Sequence, residues 1–110
     1  MPTRKLVEYL DKYGNSPFHQ WFSSLNADAA ARTTTALYRM EQGNFSNIRS
    51  VGTGVFEYKV DFGPGYRIYF GQDGNVLVIL LHGGTKKQQG LDITFARGLW
   101  ADYKARKKER

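Results

Sequence analysis

Four cationic side chains in the second half of the sequence, Lys59, Arg67, Lys86 and Lys87, could stabilise negative charge on a phosphate. Arg67 follows the turn Gly-Pro-Gly-Tyr (63–66), in which the glycines allow a tight chain reversal and the proline fixes φ. A planar guanidinium can bind two phosphate oxygens at once and stays protonated at any relevant pH. We therefore expect Arg67 to be the main charge-stabilising group, with the three lysines in support.

These cations suit the cleavage of RNA by its own 2′-hydroxyl, a reaction that needs no cofactor. The protein must align the 2′-oxygen with phosphorus, offset the charge on the phosphoryl oxygens and assist proton transfer. Glu57 is a candidate base, and a lysine, Tyr69 or His82 is a candidate acid. The predicted catalytic residues are therefore Arg67, Lys59, Lys86, Glu57 and Tyr69, and the predicted RNA-binding residues are Lys87, Arg49, His82 and Gln89.

Most of these residues also have a purely structural interpretation. Arg67 and Glu57 would form an ion pair if they faced each other across two strands, and on the residues alone this interpretation is about as good as a functional one. Loop lysines such as Lys86 and Lys87 are commonly only solvated. A histidine that follows a buried strand, as His82 does, more often hydrogen-bonds to the backbone than acts in catalysis.

Other chemistries lack the residues that they need. The chain has no cysteine, and His19 and His82 are its only histidines, so a conventional zinc site is not expected. The phosphate-loop and dinucleotide-binding glycine motifs are absent, and no serine lies in a nucleophile-elbow context. We expect neither a metal nor a cofactor.

Composition and charge indicate one small domain with a polyanionic partner. A chain of 110 residues with 41% hydrophobic content has room for a single core, so we assign residues 1–110 to one domain. Sixteen Lys and Arg against ten Asp and Glu give a net charge of +6, which favours nucleic acid, the ribosome or an acidic protein. The absence of cysteine and of a signal-peptide pattern makes a cytoplasmic protein the expectation.

The helices that must support the site are predicted in the first half of the chain. A short strand is indicated at 5–9, followed by a turn. Ser16 is a plausible N-cap with Pro17 at the first helical position, and a second helix restarts at Asn26 or Asp28 and stops at Gly43. The apolar positions of both helices form stripes, so we expect a helical hairpin that covers one sheet; they are Phe18, Trp21, Phe22 and Leu25, then Ala29, Ala36, Leu37 and Met40.

The strands that follow alternate between apolar and polar residues. Phe56, Tyr58, Val60 and Phe62 share one face with Tyr66, Ile68 and Phe70, whereas Glu57, Lys59, Arg67 and Tyr69 share the other, which we expect to be an open surface. The apolar run 76–81 predicts a central strand buried on both faces of a meander of antiparallel strands. Residues 88–103 have helical spacing and precede a polar, solvated tail at 104–110.

Three linked motifs occur in this half of the chain, and their order is informative. They are Gly-Val-Phe-Glu-Tyr-Lys (54–59), Gly-Pro-Gly-Tyr-Arg (63–67) and Leu-Leu-His-Gly-Gly-Thr-Lys-Lys-Gln-Gln (80–89). The arrangement resembles the RelE/ParE superfamily of bacterial toxins, most closely its HigB-like, phage Gp49-like "addiction module killer" branch. In two respects the chain departs from the pattern. Lys59 stands where that branch usually has arginine, and a tyrosine that some RelE proteins carry near the start of the C-terminal helix has no counterpart.

The resemblance implies an α+β, RelE-like (microbial RNase-like) fold, with an N-terminal strand and a helical hairpin packed on an antiparallel sheet, and a C-terminal helix. It implies the toxin of a type II toxin–antitoxin system, a ribosome-dependent mRNA endonuclease that inhibits translation. Its partners would be the ribosome with its messenger and a cognate antitoxin, usually of the helix-turn-helix type. Arg67 matches the arginine after the Gly-Tyr of the turn, and Lys86 and Lys87 match a basic pair.

Two alternatives stay open, because one fold can host several activities. The first is a ParE-like, non-enzymatic inhibitor of DNA gyrase. The second is a catalytically idle homologue that binds its antitoxin or RNA.

Overall fold

The computed structural model describes residues 3–109 as a five-stranded sheet with helices on both faces. The strands are β1 (Lys5–Glu8), β2 (Ile48–Ser50), β3 (Val55–Val60), β4 (Tyr66–Asp73) and β5 (Leu77–Thr85), and the helices are α1 (Pro17–Ser23), α2 (Ala27–Glu41) and α3 (Gln89–Lys108). A 3₁₀ turn, Lys86–Gln88, joins β5 to α3. Residues 1, 2 and 110 of the predicted domain and tail lie outside the described residues.

The sheet is mixed, with the strand order β1-β5-β4-β3-β2. The prediction of antiparallel pairing is confirmed for β3 to β5, but it is wrong for β1, which pairs parallel to β5. A tight hairpin forces antiparallel pairing, whereas β1 and β5 are separated by two helices and three strands that leave the direction free. The edge strand β2 was not predicted.

The two N-terminal helices form as predicted, and both contribute to the core on one face of the sheet. The Ser16 side chain accepts a hydrogen bond from the His19 N–H at 3.0 Å, and Asn26 caps α2 in the same way through the Ala29 N–H at 2.9 Å. Gly43, with φ of +82°, follows the end of α2 in the left-handed conformation. The core on this face contains Phe18, Ala29, Ala36, Met40, Tyr58, Val60, Tyr66, Ile68, Phe70, Val78 and Leu80.

Helix α3 covers the other face, so the expectation of an open surface there is wrong. Glu57, Arg67 and Tyr69 are only 2%, 6% and 0% exposed, and Lys59 alone of the four is exposed. The reason is that further apolar residues of the same face make a second core with α3; they are Val55, Ile79, Leu81, Ala96 and Trp100. Burial of that apolar surface outweighs the tendency of the polar residues to stay in water.

Strand β5 is buried on both faces, as predicted for the apolar run. Val78 and Leu80 belong to the core beneath α1 and α2, and Ile79 and Leu81 belong to the core beneath α3. Within residues 3–109, no helix is both long and apolar enough to cross a bilayer.

Candidate functional site

A cleft of about 430 Å³ opens where β2, β3 and β4 meet the first turn of α3. It is lined by Asn47, Ile48, Arg49, Glu57, Lys59, Arg67 and Gln89. The strand register explains the grouping, because Arg49 pairs with Glu57 and Lys59 pairs with Arg67 across neighbouring strands. The sheet therefore brings together five of the predicted site residues, namely Arg49, Glu57, Lys59, Arg67 and Gln89.

The carboxylate of Glu57 is the centre of this cleft, and both of its oxygens are occupied. Oε1 accepts a hydrogen bond from Arg49 Nε at 2.9 Å and lies 3.5 Å from Arg67 Nε. Oε2 accepts from Gln89 Nε2 at 2.7 Å, which ties the first residue of α3 to the sheet. The predicted ion pair between Arg67 and Glu57 is thus present. Glu57 could act as a base only through a lone pair that these partners leave free.

Positive charge nevertheless dominates the cleft, because Arg49, Lys59 and Arg67 face the single carboxylate of Glu57. The side chain of Arg49 is 62% exposed although it is bonded to Glu57. Lys59 is exposed, and its side chain has no ion pair or hydrogen bond within residues 3–109. Buried Arg67 has only the shared carboxylate and one long bond, from Nη1 to the Gly65 carbonyl at 3.4 Å. An anion entering the cleft would meet an uncompensated positive field.

The predicted basic pair lies beside the cleft rather than in it. Lys86 and Lys87 are exposed on the 3₁₀ turn after β5. The Lys86 N–H donates to the Gly65 carbonyl at 2.9 Å, and this carbonyl also accepts from Arg67. Lys86 is therefore next to Arg67. Lys87 shares only the exposed turn with Lys86.

Tyr69 and His82 lie under α3 next to the cleft, and Tyr69 pairs with Glu57 across β3 and β4. The His82 Nε2 lies 2.9 Å from Asp92 Oδ1, so its partner is a side chain and not the backbone group that the sequence suggested. The rings of Tyr69 and His82 stack with centroids 6.4 Å apart. Burial first, and then the charge of Glu57, raise the pKa of Tyr69 above its ordinary value, so the phenol stays protonated at physiological pH. Tyr69 is fully buried and does not face a ligand directly.

Two residues of this region were missed by sequence reasoning. The Asn47 carbonyl accepts a hydrogen bond from the Lys59 N–H at 3.2 Å, and Asn47 lines the cleft. Asp92 holds His82 from the first turn of α3. Asn47 precedes a strand that was not predicted, and nothing in the sequence pairs a helical aspartate with a strand histidine.

A larger cleft, of about 750 Å³, lies elsewhere, between the segment after β1 and the C-terminal half of α3. It is lined by three acidic side chains, Glu8, Asp11 and Asp73, and by three basic ones, Lys12, Arg106 and Lys107. Because these charges balance, this cleft offers no preference for a polyanion. Across the described part of the chain, no group of three or more His, Cys, Asp or Glu side chains is arranged to hold a metal ion.

The close packing of α3 on β5 gives a testable prediction. A Cβ at Gly84 would lie 1.8 Å from Asp92 Oδ2, so Gly84→Ala must push the first turn of α3 away from the sheet. We expect this overpacking to lower the free energy of unfolding by about 1–3 kcal/mol, measured by urea denaturation. The control is Gly98→Ala within α3. Nothing lies within 4 Å of a Cβ at that position, so alanine should stabilise the helix. Unchanged stability of Gly84→Ala would contradict this packing.

Comparison with known proteins places the chain in a family. Residues 20–98 match the family model described as "Phage derived protein Gp49-like (DUF891)", and the chain belongs to this family. The matched segment includes every residue that lines the cleft around Glu57 and Arg67, called the cationic cleft below. A relative from Haemophilus influenzae, described as an uncharacterized protein, is 44% identical over 81 residues, which cover 73% of this chain and 82% of the relative.

Proposed function

We propose that this protein is the toxin of a type II toxin–antitoxin pair, and that it cleaves messenger RNA on the ribosome without a metal ion. The observation that carries the proposal is the position of Arg67. The glycine turn and the β3–β4 register deliver it into a cleft where three cationic side chains face one carboxylate. The similarity of the three sequence motifs to RelE-type toxins supports the same activity.

Each cation has a distinct role in this proposal. Arg67 lies at the bottom of the cleft and would bind the phosphoryl oxygens that gain charge in the transition state. Its position is set by Glu57, which orients the guanidinium through the 3.5 Å ion pair. Lys59 and Arg49 are exposed at the cleft and would attract and hold the flanking phosphates. Lys86, which shares the Gly65 carbonyl with Arg67, would add a second charge beside the scissile phosphate.

Proton transfer is the part of the reaction for which the chain offers least. Glu57 has both oxygens occupied, Tyr69 is buried and protonated, and His82 is bound to Asp92. Exposed lysines remain as candidate acids, but the candidate base Glu57 is buried and bonded, which supports a mechanism in which the ribosome supplies the alignment of the 2′-oxygen with phosphorus.

A toxin of this kind needs a partner that silences it. We propose an antitoxin, encoded by an adjacent gene and of the helix-turn-helix type, which covers or distorts the cleft around Arg67 and Lys86. A net charge of +6 favours an acidic binding segment in that partner.

The non-enzymatic alternatives have one specific observation in their favour. Glu57, with its three partners, and the buried Tyr69 can both be explained as parts of a structural network. A gyrase inhibitor or an idle RNA-binding homologue would need these residues for structure only.

Pulse labelling of cells that express the chain separates these functions. We expect incorporation of labelled amino acids to stop within minutes of induction while incorporation of thymidine continues, because messenger loss blocks translation first. Co-expression of the adjacent antitoxin gene should restore growth. Loss of thymidine incorporation alone would favour the gyrase inhibitor, and normal labelling of both would favour the idle homologue.

A further inference from the structure

A second cleft, of about 390 Å³, continues the cationic cleft toward α2. The two clefts share Asn47 and Lys59, so together they form one groove. This second cleft is lined by two arginines of α2, Arg32 and Arg39. The end of β3 and the two residues after it, Asp61 and Phe62, also line it. The groove is open there because β2 pairs with β3 only as far as Tyr58, which leaves the rest of the β3 edge uncovered.

The two α2 arginines are arranged to bind anions. Both are exposed, and neither forms an ion pair with a carboxylate within residues 3–109. The Arg32 guanidinium lies 4.6 Å from the centre of the Phe62 ring, a cation–π contact that positions it at the groove. Residues seven apart lie on the same face of a helix and about 10 Å apart along its axis, so each arginine can contact a different phosphate.

The groove carries a net positive charge. Five cationic side chains and two acidic ones line it, so its excess of three positive charges is half of the net +6 of the chain. The cleft of about 750 Å³, with its three acidic and three basic side chains, has no such excess.

The course of the groove indicates which polyanion fits. Glu57 and Arg67 lie on the sheet face under α3, whereas Tyr58 and Val60 belong to the core on the opposite face. The groove therefore bends around the edge of β3 from one face to the other. A single strand can follow such a bend, whereas a duplex is stiff over this distance.

We propose that Arg32 and Arg39 bind the phosphodiester backbone of single-stranded RNA, whose path continues past Lys59 to Arg67. This inference rests on the proposed function, because it names the path by which the RNA substrate reaches the cleft. These two arginines are binding residues, and they do not touch the reacting atoms.

The test is a salt titration of RNA binding by the purified full-length protein. The probe is a fluorescent 2′-O-methyl uridine 12-mer, which keeps the phosphates but lacks the nucleophilic hydroxyl. Loss of two phosphate contacts in Arg32→Ala/Arg39→Ala should reduce the slope of log K against log salt by about 1.4, and should weaken binding about 25-fold near 0.1 M salt. Alanine favours the helix, so the thermal midpoint should not fall.

The control is Lys12→Ala/Lys104→Ala, which makes the same change in net charge outside the groove. Both lysines also lie over aromatic rings, Lys12 over Tyr13 at 5.1 Å and Lys104 over Trp100 at 5.8 Å. We expect this variant to keep the wild-type slope.

Three results would overturn the proposal. The first is an unchanged slope in Arg32→Ala/Arg39→Ala, and the second is an equal decrease of the slope in the control variant. The third is that Arg32→Ala/Arg39→Ala loses binding to a glutamate 12-mer peptide but not to RNA, which would make the groove a protein-docking surface. An equal slope change with an RNA duplex would argue against the single strand. The assay needs no cleavage, so a failure of the proposed toxin activity leaves its result unaffected.

Discussion

Purified protein is expected to leave naked RNA intact and to cut the same transcript on programmed ribosomes. The cleft holds strong charge stabilisers, but Glu57 is occupied by three partners and Tyr69 is buried. By itself the protein therefore offers only weak help with proton transfer. A ribosome that holds the messenger in a bent conformation can add the alignment of the 2′-oxygen with the scissile phosphate, which can lower the barrier by about 7–11 kcal/mol.

The measurement is primer extension on one transcript, with and without programmed ribosomes. The products should end in a 2′,3′-cyclic phosphate or a 3′-phosphate, because the attacking oxygen belongs to the RNA. Equal cutting in both tubes would show a free ribonuclease. No cutting in either, together with blocked gyrase supercoiling, would support the ParE-like alternative.

Arg67→Ala is expected to abolish growth arrest. Removal of one donor that stabilises a developing oxyanion typically costs about 2.7–4 kcal/mol, which is roughly a hundredfold to a thousandfold in rate. Arg67 is the buried cation of the cleft, and its distance from the shared Glu57 carboxylate is 3.5 Å. After the substitution Glu57 keeps Arg49 and Gln89 as partners, so we expect the fold to be retained.

Growth curves at matched expression measure this effect, and urea denaturation checks the fold. Arg67→Lys is the matched variant, because it keeps the charge but loses the planar fork, and it should retain part of the activity. Lys86→Ala and Lys87→Ala should each cost less, because both lysines are exposed on one turn and can partly replace each other. Growth arrest of wild-type strength in a folded Arg67→Ala protein would contradict the role of Arg67.

The helices and strand faces were predictable because their signals are local. Ser16 and Pro17 start α1, Asn26 starts α2, and side-chain alternation assigns Glu57 and Arg67 to one face of the sheet. Strand pairing then follows from the short turn between β3 and β4. The parallel position of β1 was not predictable, because no short connection links it to β5.

The sequence by itself determined which side chains share a face, where the glycine turn directs Arg67, and that the protein is positively charged. Only the tertiary structure decided what covers that face. Alternation along a strand shows which side chains share a face. Whether solvent or a helix covers that face depends on how much apolar surface distant segments contribute to it, in this case Val55, Ile79 and Trp100. Packing between distant segments also places Tyr69 and His82 beneath α3. It brings Arg32 and Arg39 of α2 to the same groove as Lys59.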